Sequence, residues 1–585
     1  MRPEILLWLG ALIALLVFLA LEPLGQFALF GSDTGEYYRL TATLVTTGHI
    51  PRGIHYLGWG TAYPDFPGIF LLTGAGAGAL GLSTFTALTV LLPVVVTLSV
   101  LPLFLLFRRI YPHDTVALLG AAFASVAMPR MFSLAHPAPL ALGDFLCVAA
   151  LWMFVEGRRD LRWYLPLGLT SAALIVTHHL STYFFVISAL LGLLLLELWR
   201  PRLWSRRFPT REFAFLGALV TGTFVYWFFA AKSFVNLVIV PGLGNLPGTS
   251  FAALESLALL TLLAAAALLR YRRGRRPLHR WVRLPSDRSL VRDLVIIAVV
   301  VFGAVSLLLL VPLPGTTQMT NPATILWFTP LLGLGLLAAG SRRTPTLARL
   351  GPFTLTWLGA LGISALVTLV AGGLAPQISG FINAIPPSRH VEYLLIPVGL
   401  LVAIGAGRLV ARAGDRAGRR AMVAASVGLV VLIAANAAIV YPPQADFGGF
   451  QEGLTHGDAT LWMWVGLGAP PTWVVATDHR LSSMIFGFDG NPATWDSTPA
   501  LFNGANWTAA LSELRASDAP HTLRPIDLVA VDSVMYTGVA LNPSAIAQPL
   551  STAAQHWFTQ LPFVPLYRNG LEVVYLVVLS SAPSA

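Results

Sequence analysis

ILLWLGALIALLVFLALEPLG (residues 5–25), followed almost at once by GSDTGEYYRL (31–40), decides the fold class. The first stretch is apolar from Ile5 to Leu21, a run of the length that crosses a bilayer as one helix. It is long and has no small-residue cleavage pattern, so it reads as a retained anchor rather than a signal peptide. The second opens a polar loop, 31–66, which gathers Asp33, Glu36, Arg39, His49, Arg52, His55 and Asp65 in a chain that is only 11% charged. Ionisable groups are costly to hold at a membrane, so their concentration marks this loop as the expected seat of chemistry.

The rest of the composition agrees with a polytopic membrane protein. Of 585 residues, 56% are hydrophobic, and the mean hydropathy is +0.72. Apolar runs long enough to span recur along the first 440 positions. The single cysteine, Cys147, excludes an internal disulfide framework. A net charge of +10 invites a nucleic-acid reading, but its distribution argues against one. The arginines sit in short clusters, at 108–109, 158–162, 200–211, 270–292, 342–349 and 408–420, as the positive-inside rule expects of cytoplasmic loops. Even the most basic of them, RYRRGRRPLHRWVR in 270–292, reads better as a loop facing lipid phosphates than as an RNA-binding segment.

Counting back from 408–420 as an inner loop, spans alternate at about 391–411, 352–371, 322–340, 292–313, 251–270, 212–231, 182–199, 163–178, 139–156, 115–133 and 85–107. This predicts 13 crossings, with the N-terminus cytoplasmic and the C-terminus outside. Residues 66–82 are glycine-rich and begin beside a proline, so they are expected to lie as a re-entrant or interfacial segment. Past Tyr441 the composition changes, and 442–585 is expected to form a separate extracytoplasmic α/β domain. There WVVAT, IDLVAVD, FVPLY and LEVVYLVV read as strands, 507–514 as a helix, and Asn569-Gly570 as a two-residue hairpin turn.

With that topology the ionisable groups of the membrane region fall on the outer side: His136, Asp144, His178, His179, Lys232, Arg389 and His390. Several have plain structural readings as well. Asp33 suits the N-cap of a helix starting at Thr34, and Glu36 would complete a capping box. Asp65 suits a turn, and Arg389 suits a headgroup-facing arginine. Asp144 is harder to explain structurally, because it lies inside an apolar helix start. Asp33, Asp144 and His136, with the two adjacent histidines, are candidate ligands for a divalent cation such as Mg or Mn. No fixed-spacing metal signature is present.

This layout resembles the GT-C superfamily of integral-membrane glycosyltransferases, in particular prokaryotic members related to protein O-mannosyltransferases and oligosaccharyltransferase catalytic subunits. The resemblance rests on one span, an outer loop with Ser32-Asp33-Thr34-Gly35-Glu36-Tyr37-Tyr38, and Tyr63-Pro64-Asp65-Phe66-Pro67-Gly68 leading into an outer-face helix. It continues with a second acidic site, Asp144, near a later span, the Arg389-x-x-x-Tyr393-x-x-x-Pro397 stretch, and an outer C-terminal domain. It implies transfer of a sugar, usually with inversion, from a polyprenyl-phosphate or polyprenyl-diphosphate donor to a glycan, lipid or protein acceptor outside the cytoplasm, at the plasma membrane. By match, Asp33 is the general base, with Glu36 and Asp144 as further acids of the catalytic site. Arg389, His390, His178, His179, Lys232, Asp65 and Arg52 are expected to hold substrate, Arg389 first, on the donor phosphate. The Trp-Trp-Asp-Tyr-Gly string of oligosaccharyltransferase subunits is absent from 442–585, which leaves the acceptor open. The competing readings are a transporter or flippase of lipid-linked glycans and a non-catalytic scaffold that binds polyprenyl carriers. Almost wholly apolar mid-span positions argue against flipping.

Overall fold

The structure, a computed structural model, describes residues 2–50, 58–199, 210–236, 335, 354, 356–365, 387–441, 451–494, 498–516, 524–541 and 547–579. Among these residues seven helices are long and apolar enough to cross a membrane, and an eighth crossing is made if a bent pair counts as one. The protein is a multi-pass membrane protein. The expected spans 251–270, 292–313 and 322–340 lie outside the described residues, apart from residue 335, and with them the full count of 13.

Two expectations change within the described part. The 115–133 span is two helices, Asp114–Val126 and Met128–Ala135, bent by 68°. Pro129 causes the break, since its ring and missing N–H cannot continue the preceding turn. The 163–178 span is a helix of 12 residues, Tyr164–Ile175, about 18 Å at 1.5 Å per residue and well short of a bilayer core. Residues 66–82 hold the short apolar helix Gly68–Leu80, about 20 Å long and likewise too short to cross. Farther along, two spans meet at Gly418, whose φ of 77° makes the turn between Arg389–Asp415 and Gly418–Ala438.

Small residues let these helices approach closely, as membrane helices require in the absence of a hydrophobic drive between them. A Cβ on Gly399 would stand 2.8 Å from the Ala124 Cβ and 2.9 Å from the Gly120 carbonyl. Around this seam, Leu16, Phe104, Phe107, Phe184, Phe185 and Leu400 pack into one buried core.

Seven short strands follow from the rest. Strand β1 (Leu29–Phe30), just after the first span, pairs antiparallel with β2 (Gly453–Leu454). The C-terminal segment then builds a five-stranded mixed sheet from β3 (Val475–Ala476), β4 (Ala493–Thr494), β5 (Leu528–Val531), β6 (Phe563–Asn569) and β7 (Glu572–Val577). Its order is β4-β3-β5-β7-β6, with β3 parallel to both β4 and β5 and the rest antiparallel. Gly570, at φ 66°, turns the β6–β7 hairpin. The helix Trp507–Arg515 packs Ala510 and Leu514 into the core beside β5. The β1–β2 ladder fastens this sheet domain to the polar loop behind the first span.

Candidate functional site

The helix Thr34–Thr47 begins at Asp33, but the Asp33 side chain makes no capping hydrogen bond. Its carboxylate turns away from the helix. Oδ1 takes an ion-pair contact of 2.7 Å from His479 Nε2. Oδ2 accepts hydrogen bonds from the Tyr63 hydroxyl at 3.0 Å and the Tyr37 hydroxyl at 3.3 Å. The two tyrosine rings meet edge to face at 4.9 Å. Glu36 does not complete a cap either. Its backbone N–H donates to the Ser483 hydroxyl, and its side chain is buried.

Two glycines set this geometry. A Cβ on Gly35 would overlap the Ser483 carbonyl, and one on Gly487 would overlap the Gly35 carbonyl. The Thr34–Thr47 helix therefore lies directly on the 479–489 helical segment, and the close approach brings His479 to Asp33. Tyr38 stacks on Phe488 at 4.2 Å, and the Arg39 guanidinium sits 5.3 Å from the Phe486 ring centre, which flank the same seam. Behind His479, Arg480 is fully buried and pairs with Asp458, Asp478 and Asp532. That knot fixes the turn where β3 ends and the next helix starts.

The tyrosine side is held just as firmly. The Asp65 carboxylate accepts the Phe234 N–H at 2.9 Å, and the Asp65 carbonyl accepts the Tyr226 hydroxyl. Asp65 thus pins the 58–65 turn that carries Tyr63, a structural role rather than an open ligand site.

Electrostatics separate the two neighbouring acids. Burial would raise Asp33, but the charge and hydrogen bond of His479, with help from His136 and Tyr63, bring it down to about 2. Burial and the adjacent Asp33 charge raise Glu36 well above the usual carboxyl range. His479 is raised, since the Asp33 carboxylate outweighs the burial that would lower it. The same surroundings thus pull one acid down and push its neighbour and the histidine up.

His136 completes the cluster. Its ring lies against Gly31, and its buried Nε2 stands 3.8 Å from a Glu452 oxygen with no hydrogen-bond partner. The same Glu452 oxygen accepts the Ser32 N–H at 2.9 Å, and the Glu452 carbonyl accepts the Gly31 N–H at 3.1 Å.

The remaining candidates sit in a neighbouring group. Asp144 is buried and bonded by Arg130 at 2.7 and 3.0 Å, which takes it out of the Asp33 cluster. Arg389 pairs with Glu392 at 2.7 Å and reaches the Ser133 hydroxyl at 3.5 Å. It lies within electrostatic reach of Glu452 and of His178, which ties it to the Asp33 side. His178 caps the helix His179–Val186 and bonds Ser181, which also receives the Tyr393 hydroxyl. His179 packs among Phe66 and Phe234. His390 is buried against the Ser364 hydroxyl at 2.9 Å. Lys232 is exposed at the start of Lys232–Phe234. Arg52 lies outside the described residues.

The expected cation ligands do not converge. Asp144 belongs to Arg130, both Asp33 oxygens carry donors, and no group of three potential ligands among the described residues is placed to hold a metal ion.

Sequence reasoning missed His479, Glu452, Tyr37, Tyr63 and Arg130. One signal pointed to the first: Asp478-His479-Arg480 directly follows the strand WVVAT, and the carboxyl end of a parallel strand is where α/β sheets place functional groups.

No family model and no curated protein matches this sequence. Solved structures do share its fold. The oligosaccharyltransferase of Archaeoglobus fulgidus, crystallised with Zn and sulfate, aligns at TM-score 0.52 and 14% identity, over 90% of this chain and 68% of that one. The same organism's archaeal oligosaccharyltransferase AglB, in complex with an inhibitory peptide and a dolichol-phosphate, aligns at 0.52 and 13%, over 90% and 69%. The form tethered to an acceptor peptide containing the NVT sequon gives 0.53 and 13%, over 90% and 69%. At such identities the likeness is one of fold alone, shared with the archaeal oligosaccharyltransferase.

Proposed function

We propose that this chain transfers a sugar from a polyprenyl-phosphate or polyprenyl-diphosphate donor to an acceptor on the extracytoplasmic face of the plasma membrane. The observation that carries the reading is the Asp33 carboxylate: ionised, partly open to solvent and released from helix capping, on a fold shared with an oligosaccharyltransferase. In this reading 1–441 is the membrane part that receives the isoprenoid tail, and 442–585 is an extracytoplasmic domain that closes over the loop 31–66.

The acceptor's hydroxyl or amide donates a hydrogen bond to Asp33. Its heteroatom attacks the anomeric carbon, the bond from that carbon to the phosphate oxygen breaks, and the electron pair leaves on the lipid phosphate. Inversion follows from a single displacement. The acceptor proton becomes acidic as the new bond forms, so it passes to Asp33 late in the step. A carboxylate near 2 is a weak base for neutral pH, and late transfer is the timing such a base allows. Arg389 is assigned to the departing phosphate, because a guanidinium binds phosphate through two hydrogen bonds and strengthens its hold as charge develops. Glu392 and Ser133 orient it. His178, His179 and Lys232 are assigned to the donor side, and Glu36, buried beside Asp33, is assigned no proton transfer. No step is routed through a metal ion, since no group of ligands among the described residues gathers to hold one.

The test is to incubate membranes holding the protein with radiolabelled polyprenyl-phosphate sugars, with and without EDTA. Protein-dependent label on a glycan, lipid or polypeptide supports the reading and identifies the acceptor class. Label that stays on the donor, or crosses the membrane on it, refutes transfer and favours a carrier-binding or flipping role.

A further inference from the structure

Asp33 has about four acceptor positions on its two oxygens. Tyr37 and Tyr63 fill those of Oδ2, and His479 fills one on Oδ1. One position on Oδ1 remains. The His479 side chain is 8% exposed against 23% for Asp33, so the carboxylate is the more open of the two. His479 is itself fixed: its N–H donates to the Ala540 carbonyl, Asp478 caps the turn it begins, and its neighbour Arg480 is locked among three carboxylates.

We propose that His479 is a positioning residue for the transfer, holding Asp33 so that the free side of Oδ1 is the proton-accepting atom. His479 arrives from the far end of the chain and touches the reaction only through Asp33. The inference rests on the transfer reading above.

A double-mutant cycle on the purified full-length protein tests it, using a radiolabelled polyprenyl-phosphate sugar. His479→Ala is expected to lower kcat about 100-fold while the donor KM moves less than about threefold. His479→Gln, which restores an N–H donor, is expected to recover roughly tenfold of that loss. On an Asp33→Asn background, His479→Ala should cost less than about twofold more, because the carboxylate it positions is gone. Equal losses in both backgrounds, or a loss confined to KM, overturn the assignment and leave His479 as a domain-docking residue. A wild type that transfers no sugar overturns the transfer reading, and this inference with it.

Discussion

Gly35 and Gly487 meet backbone to backbone, with no room for a side chain on either. One lies in the loop behind the first span and the other in the C-terminal domain, so this contact is where the two ends of the chain form one site.

Alanine at either position should therefore unseat the domain. Overpacking of this kind costs about 1–3 kcal/mol, more than the roughly 1 kcal/mol that alanine gains over glycine in a helix. Gly78→Ala, at a position with nothing within 4 Å, is the control and should be neutral or stabilising. Thermal unfolding followed by tryptophan fluorescence reads the difference. Equal melting of Gly35→Ala, Gly487→Ala and the control would contradict the packing account.

The Asp33–His479 pair should leave a signature in pH. Asp33 falls from 3.8 to about 2 on folding, so its contribution is present above about pH 4 and is lost as the pH falls towards 2. His479 is raised above 6.5, so its contribution is present below 6.5 and is lost as the pH climbs through its folded value. The pair stabilises most between about pH 4 and 6.5. Asp33→Asn should then cost about 2 kcal/mol at pH 5.5 and less at pH 2.5 and pH 9. A cost independent of pH would contradict the pairing.

Asp144 was expected from its place in an apolar helix start to be functional, and its observed partner gives it a structural task. Asp144→Asn or Arg130→Met alone leaves a buried charge uncompensated and should cost about 3–5 kcal/mol. The double variant Arg130→Met/Asp144→Asn should recover most of that. Melting curves of the three variants test it, and a double variant as unstable as the singles would refute it.

Arg480 should be the least replaceable residue of the C-terminal domain. Without it Asp458, Asp478 and Asp532 face one another in the core, and burial already raises Asp458 and Asp478. Arg480→Lys keeps the charge but loses the fork that reaches several carboxylates, so it is expected to melt well below wild type. Limited proteolysis of the full chain checks this: cleavage should move into 451–579 in the variant and not in wild type.

The membrane class, the loop 31–66 and the strands of the C-terminal domain were legible because each rests on local pattern: apolar runs, charge density and alternation around Asn-Gly. The partners of Asp33 were not. His479 reaches it only through the Gly35–Gly487 seam, and Glu452 reaches the neighbouring Ser32 through the β1–β2 pairing, both contacts between distant parts of the chain. Reading Asp33 and Glu36 as a capping pair failed for the same reason, because stronger partners from elsewhere took over the carboxylate and the packing against Ser483 buried the glutamate. The bend at Pro129 was legible in principle, yet hydropathy averaged over 115–133 hides a break in the backbone.

The central claim is that Asp33 accepts the proton of the sugar acceptor. It is tested most directly by single-turnover transfer from a radiolabelled polyprenyl-phosphate sugar, comparing wild type with Asp33→Asn under saturating donor. A rate lowered by about 100-fold or more with donor binding intact is the predicted result. Transfer by Asp33→Asn at the wild-type rate would contradict it.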